Sequence, residues 1–135
     1  MEITRRIVGG VIVLDLTGPL IVSATEEEIA PLRSAIDGLT AVGHLEVALN
    51  LAGVTHLDAR GLGELVCALN VVRAQGGRLI LLAPPPRVAR LLAVTRLDTV
   101  FEICKSEEEL MHSFALFASF SSFSSFASFG ERRLY

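Results

Sequence analysis

Hydrophobic and polar residues along this chain change their period several times, and each change marks an element. Residues 2–8 and 11–17 are β-branched runs separated by Gly9 and Gly10, a two-residue turn composition that predicts an antiparallel hairpin. In the second run Ile12, Leu14 and Leu16 share one face, while Asp15 lies on the other and marks it as partly wet. Ser23 with Glu26, and Thr25 with Glu28, have capping-box spacing ahead of a helix-period set at Ile29, Leu32, Ile36 and Leu39. Pro31 interrupts that set, so either a short first turn precedes the main helix or the helix kinks there. Gly38 or Gly43 ends it.

An alternating segment at Leu45, Val47, Leu49 and Leu51 then leads through Asp58 into a second helical set, Leu62, Leu65, Val66, Leu69 and Val72. Gly76 and Gly77 stop that helix. Residues 78–83 are almost continuously apolar, as expected of a strand covered on both faces. Three prolines follow at 84–86, the last suited to the first position of a helix that carries Val88, Leu91 and Leu92. Residues 99–104 read as a short last strand. Ser106 and Glu109 form a third capping box, opening a helix through Leu110 and Met111. The alternation predicts an α/β (α+β) domain over residues 1–112. Its mixed sheet has an N-terminal antiparallel hairpin and parallel βαβ units, with helices packed on the sheet. If the helices share one face, the strands lie in sequence order with the first at an edge.

Residues 113–135 follow a different rule. Phenylalanine recurs at every third position from Phe114 to Phe129, with serine or alanine almost everywhere between. A period of three drifts around an α-helix by about 60° per step, so these rings encircle a helix instead of forming one face. The tail is expected to be low-complexity sequence, disordered or irregularly helical, and its serines argue against a membrane span.

Length and charge narrow the function. A chain of 135 residues is one domain, long enough to bury a core without metal or disulfide. Net charge is −3 and the basic residues are scattered, so no nucleic acid partner is expected. Cys67 and Cys104 sit in apolar surroundings and are expected to be buried small hydrophobes. The first residues have no apolar signal-peptide core, which predicts a cytoplasmic protein. His44, His56 and His112 lack ligand spacing, so neither metal nor cofactor is expected. Phosphate-loop, dinucleotide and serine-elbow motifs are missing from the sequence, and Asp58 and His56 have no nucleophile beside them. The chain is not expected to be an enzyme.

Interest therefore concentrates on the corner at residues 55–63. An aspartate there can accept hydrogen bonds from first-turn amides, worth roughly 0.5–2 kcal/mol. Gly61 and Gly63 let the helix start pass close to a neighbour. Arg60, with the amides of the helix start, could alternatively hold an anion such as a nucleotide phosphate or a partner carboxylate.

The order and spacing of these pieces resemble the STAS family, shared by sulfate transporters and bacterial anti-sigma factor antagonists. The resemblance covers residues 3–111. It rests on residues 12–16 with Gly18 and Leu20, the helix at 25–39, residues 47–51, Gly53, Val54, Asp58, Gly61 to Gly63 and Gly76 to Leu79. Pro86, Leu91, Leu92, Leu97, Asp98, Phe101 to Ile103 and Ser106 to Glu108 carry it through the last third. The resemblance implies a partner, an anti-sigma factor that is also a serine kinase. It also implies a phosphoacceptor serine immediately before the glycine of an Asp-Ser-Ser-Gly-Leu motif. This chain has Asp58, Ala59, Arg60, Gly61 and Leu62, so Arg60 stands at the acceptor position without a hydroxyl. Thr55, His56, Asp58, Ala59, Arg60, Gly61, Leu62, Gly63 and Glu64 are the expected partner-binding residues. Two other roles stay open: accessory subunit of a membrane lipid transporter, and a nucleotide- or anion-binding module.

Overall fold

The structure, a computed structural model, describes residues 2–20, 26–44 and 46–113, and only the backbone of 26–31. Two strands open it, β1 (Glu2–Val8) and β2 (Val11–Leu20), followed by α1 (Glu26–Ala41), β3 (Glu46–Leu57) and α2 (Ala59–Ala74). Next come β4 (Arg78–Leu82), α3 (Pro86–Val94), a 3-10 turn (Leu97–Thr99) and β5 (Glu102–Cys104). Among the described residues, 107–113 form a further helix, α4. The capping boxes before α1 and the phenylalanine tail lie outside the described residues.

The sheet has five strands in the order β1-β2-β3-β4-β5. β1 pairs antiparallel with β2, and the remaining neighbours are parallel. The hairpin turns where expected: Gly9 and Gly10 both take positive φ, 56° and 89°, the backbone of a type I′ turn. Both large helices end in the same way. Gly43 and Gly76 take φ of 82° and 80°. The amides that follow reach back into the last turn, His44 N to Leu39 O and Gly77 N to Val72 O. Gly38 lies inside α1, and that helix continues through Pro31 as one span. The expected last strand is shorter than 99–104, because residues 97–99 coil into the 3-10 turn after Arg96 takes φ of 64°.

Each strand's alternation is used on both faces. Ile12, Leu14, Leu16, Val47, Leu49, Leu79 and Leu81 form one core with Leu32 and Ile36 of α1, Leu65 and Leu69 of α2, and Val88 and Leu92 of α3. The opposite face holds Val11, Val13, Ala48, Ile80, Leu82 and Cys104 under Leu110 of α4. The helices thus do not share one face, and the side of β2 that carries Asp15 is dry over Val11 and Val13. Asp15 itself is half-buried at the rim. It accepts Arg6 Nε at 2.5 Å and Asn50 Nδ2 at 2.7 Å, and Arg6 also reaches Glu107 of α4 at 2.6 Å. These bonds tie β1, β2, β3 and α4 together, and the hydrogen bond from Arg6 holds the Asp15 carboxyl below its usual range.

Candidate functional site

β3 is longer than its hydrophobic alternation suggested. It runs to Leu57, whereas β4 pairs with it only as far as Leu82 opposite Asn50. Two features of the sequence turn β4 away. Ala83 adopts φ of 52° and donates its amide to Cys104 O, and the prolines at 84–86 have no N–H to continue a ladder. Beyond residue 50, β3 keeps β2 as its only strand neighbour among the described residues.

At the end of β3 the chain turns into α2 on Asp58. Its carboxylate Oδ1 accepts Arg60 N at 3.1 Å and Gly61 N at 3.0 Å, the N-cap expected from the sequence. This geometry bears on the anion alternative, which needed those amides. The protein's own carboxylate already occupies them.

The glycines separate into two kinds. A Cβ built on Gly61 would lie 2.9 Å from the Leu20 carbonyl carbon and 2.9 Å from Leu57 Cδ1, with the Leu20 carbonyl oxygen closer still. Gly61 is therefore what lets α2 start against the end of β2. Gly63 is exposed, with nothing within 4 Å of such a Cβ.

Helical geometry then divides the expected partner-binding residues. Thr55, His56, Ala59, Arg60 and Gly63 are exposed and lie together on the outside of the corner. Thr55 Oγ1 and His56 Nδ1 are 3.3 Å apart. Gly61 and Leu62 are buried, and Asp58 is half-buried in its capping role. Glu64 points inward: it is 8% exposed and accepts Arg33 Nε at 2.9 Å and Arg33 Nη2 at 2.7 Å from α1. The Arg33 hydrogen bonds hold its carboxyl below the usual carboxylate range. Glu64 thus joins α1 to α2. No signal in the sequence points to this pairing, because Arg33 lies 31 residues away.

The cysteines also divide. Cys104 is buried beneath α4, and burial pushes its thiol upward. Cys67 is exposed on α2 beside Leu32, Arg33 and Val71, contrary to the sequence expectation. It falls between the inward positions Leu65 and Ala68, where apolar neighbours in sequence do not mean apolar neighbours in space.

Sequence reasoning missed the opposing wall. A groove of about 730 Å³ runs between β3 residues 54–57 and α3, lined on the far side by Pro85, Pro86, Arg87, Arg90, Leu91 and Val94. The signal was present as a proline-led helix with arginines three residues apart and an outward valine, but no periodicity says where such a helix lands. None of the described helices is long and apolar enough to cross a membrane.

Comparison with known proteins agrees with this architecture. The STAS domain model matches residues 2–110. A Thermotoga neapolitana protein described as an anti-sigma factor antagonist is 33% identical over 69 residues, 51% of this chain and 61% of the relative. A Thermotoga maritima counterpart is 32% identical over 69 residues, with the same coverage of 51% and 61%. The matched part thus spans under two thirds of either curated relative. The crystal structure of an anti-sigma factor antagonist from Thermotoga maritima superposes with a TM-score of 0.72 at 26% identity, covering 82% of this chain and 92% of the other. The Bacillus cell fate determinant SpoIIAA in its phosphorylated form shares the fold, with a TM-score of 0.62 at 19% identity over 83% and 99% of the two chains. With its family model matched from the first strand to the last helix, the chain belongs to the STAS domain family.

Proposed function

We propose that this protein is an anti-sigma factor antagonist that binds its partner through the exposed half of the β3–α2 corner: Thr55, His56, Ala59, Arg60 and Gly63. It acts by contact, without chemistry of its own, on an anti-sigma factor of the serine-kinase type. The observation that carries this reading is the pairing of a matched STAS domain with an outward-facing, Asp58-capped helix start.

Arg60 gives the site its distinctive property. A phosphoryl group at a helix N-terminus brings about −1.5 to −2 charges to the positive end of the dipole. A guanidinium brings the opposite sign and has no oxygen to accept the phosphoryl group. The protein is accordingly read as one whose binding is not ended by phosphorylation at this position. Capture of the anti-sigma factor from host lysate, followed by incubation with labelled ATP, tests both halves. The expected result is capture that Arg60→Glu weakens, with no label in the 55–61 peptide, and label entering once Arg60→Ser supplies a hydroxyl. Stoichiometric label in that peptide of the parent protein would overturn the second half. Capture indifferent to Arg60→Glu and His56→Ala together would overturn the first.

A further inference from the structure

We propose that the groove between β3 and α3 binds an extended, carboxylate-bearing segment of the partner protein, added as a strand to the open edge of β3. The proposal deepens the reading of the corner as a docking surface and rests on it. Three observations meet there. The edge is open for a structural reason: β4 leaves at Ala83, and β3 continues from residue 51 to 57 with no strand on that side among the described residues. Ala52 N is already taken by Asn50 Oδ1 at 3.1 Å, so the open edge is residues 53–57, where β3 carries one extra residue at Thr55 against β2. An extended backbone presents its N–H and C=O groups to such an edge whatever its sequence, and side chains then set the specificity.

The second observation is the wall. Pro85 and Pro86 line the groove and have no amide hydrogens, so that side cannot replace the missing strand. The third is charge. Arg87 and Arg90 are both exposed, and their guanidiniums make no ion pair with a carboxylate of the described residues. Among the described residues of the lining, the only carboxylate belongs to Asp58, which is engaged by the amides of its own helix. Guanidiniums hold carboxylates through paired N–H donors, and the volume of about 730 Å³ suits a short strand segment. Leu91 and Val94 of the same helix offer apolar contact in the groove.

The test uses the full chain and a fluorescein-labelled octapeptide alternating glutamate with threonine or valine, beside a version with lysine in place of glutamate. Anisotropy should show saturable binding of the acidic peptide alone, weakening as salt rises. The double variant Arg87→Glu/Arg90→Glu should lower that affinity by about tenfold or more. The milder Arg87→Ala/Arg90→Ala is a second variant, and both arginines lie outside the core. Amide exchange should slow at residues 53–57 on adding peptide. Equal binding of the two peptides, indifference to both variants, or protection elsewhere would overturn the proposal. Protection of 53–57 that grows with protein concentration in the absence of peptide would assign the edge to a second copy, and would likewise overturn it. Anti-sigma factor capture that survives Arg87→Glu/Arg90→Glu but is lost in Arg60→Glu discards the groove and leaves the corner intact.

Discussion

Gly61 and Leu20 meet where α2 starts against the end of β2, so closely that any Cβ on residue 61 would strike the Leu20 carbonyl group. The glycine lies three residues past a helix cap, within the corner proposed above as the docking surface. Its first duty in this chain is nonetheless packing, because the obstacle is backbone and cannot rotate away.

Gly61→Ala is therefore expected to destabilise the protein by about 1–3 kcal/mol, the usual penalty for overpacking a tight contact. Gly63→Ala, two residues on, meets open space and should be neutral or stabilising by up to about 1 kcal/mol through helix propensity. Urea denaturation of both variants checks the pair. Equal effects would mean that the approach of α2 to Leu20 is not as described.

Asp58→Ala should cost roughly 0.5–2 kcal/mol, since Arg60 N and Gly61 N lose their acceptor. Asp58→Asn keeps an oxygen in place and should retain most of the stability. Thermal melts of the three proteins rank them, and the expected order is parent, Asn, Ala.

Two glutamates should pull acid stability in opposite directions. Arg33 depresses the Glu64 carboxyl below its ordinary 4.5, so the stability it contributes is complete above that value and drains away as pH falls through the lower folded value. Arg33→Ala should therefore destabilise the protein at neutral pH and lose that effect once the pH falls below the depressed folded value of Glu64. Glu46 is raised above 4.5, chiefly by burial, with Glu102 reinforcing the shift and Arg78 opposing it. Its contribution is present below 4.5 and is lost as pH rises through the folded value. Glu46→Gln should accordingly be more stable than the parent at neutral pH and no better in acid. Denaturation curves at the two pH values, compared for each variant, decide both signs.

The two thiols should react at different rates. Cys67 is exposed, while Cys104 is buried with a thiol raised by desolvation, so a thiol reagent should titrate one group in the native protein and two after unfolding. Cys67→Ala should abolish the native reaction. A native titration that persists in this variant would mean that the cover over Cys104 opens readily.

Much of the architecture was legible in the chain because it depends on near neighbours. A glycine pair sets a hairpin whatever surrounds it, and an aspartate caps the helix that begins on the next residue. The prolines at 84–86 end a ladder from within. Residues 78–83 announced a strand covered on both faces; the strand ends at Leu82, and Leu79 and Ile80 are buried on opposite sides of the sheet. Matching pieces in order over most of the chain were enough to identify the STAS family.

What the tertiary structure decided was which residue stands opposite which. Periodicity marks Val11 and Val13 as apolar, but only the placement of α4 makes their face dry. It marks Glu64 as an acid early in α2, near the corner proposed for docking, but Arg33, 31 residues away, turns it inward. Gly61 and Gly63 look alike in sequence and differ because Leu20 lies beside one of them. Short-range pattern reports what each residue requires of its surroundings. The contacts that meet the requirement join segments distant along the chain, and they exist only once the sheet has brought those segments together.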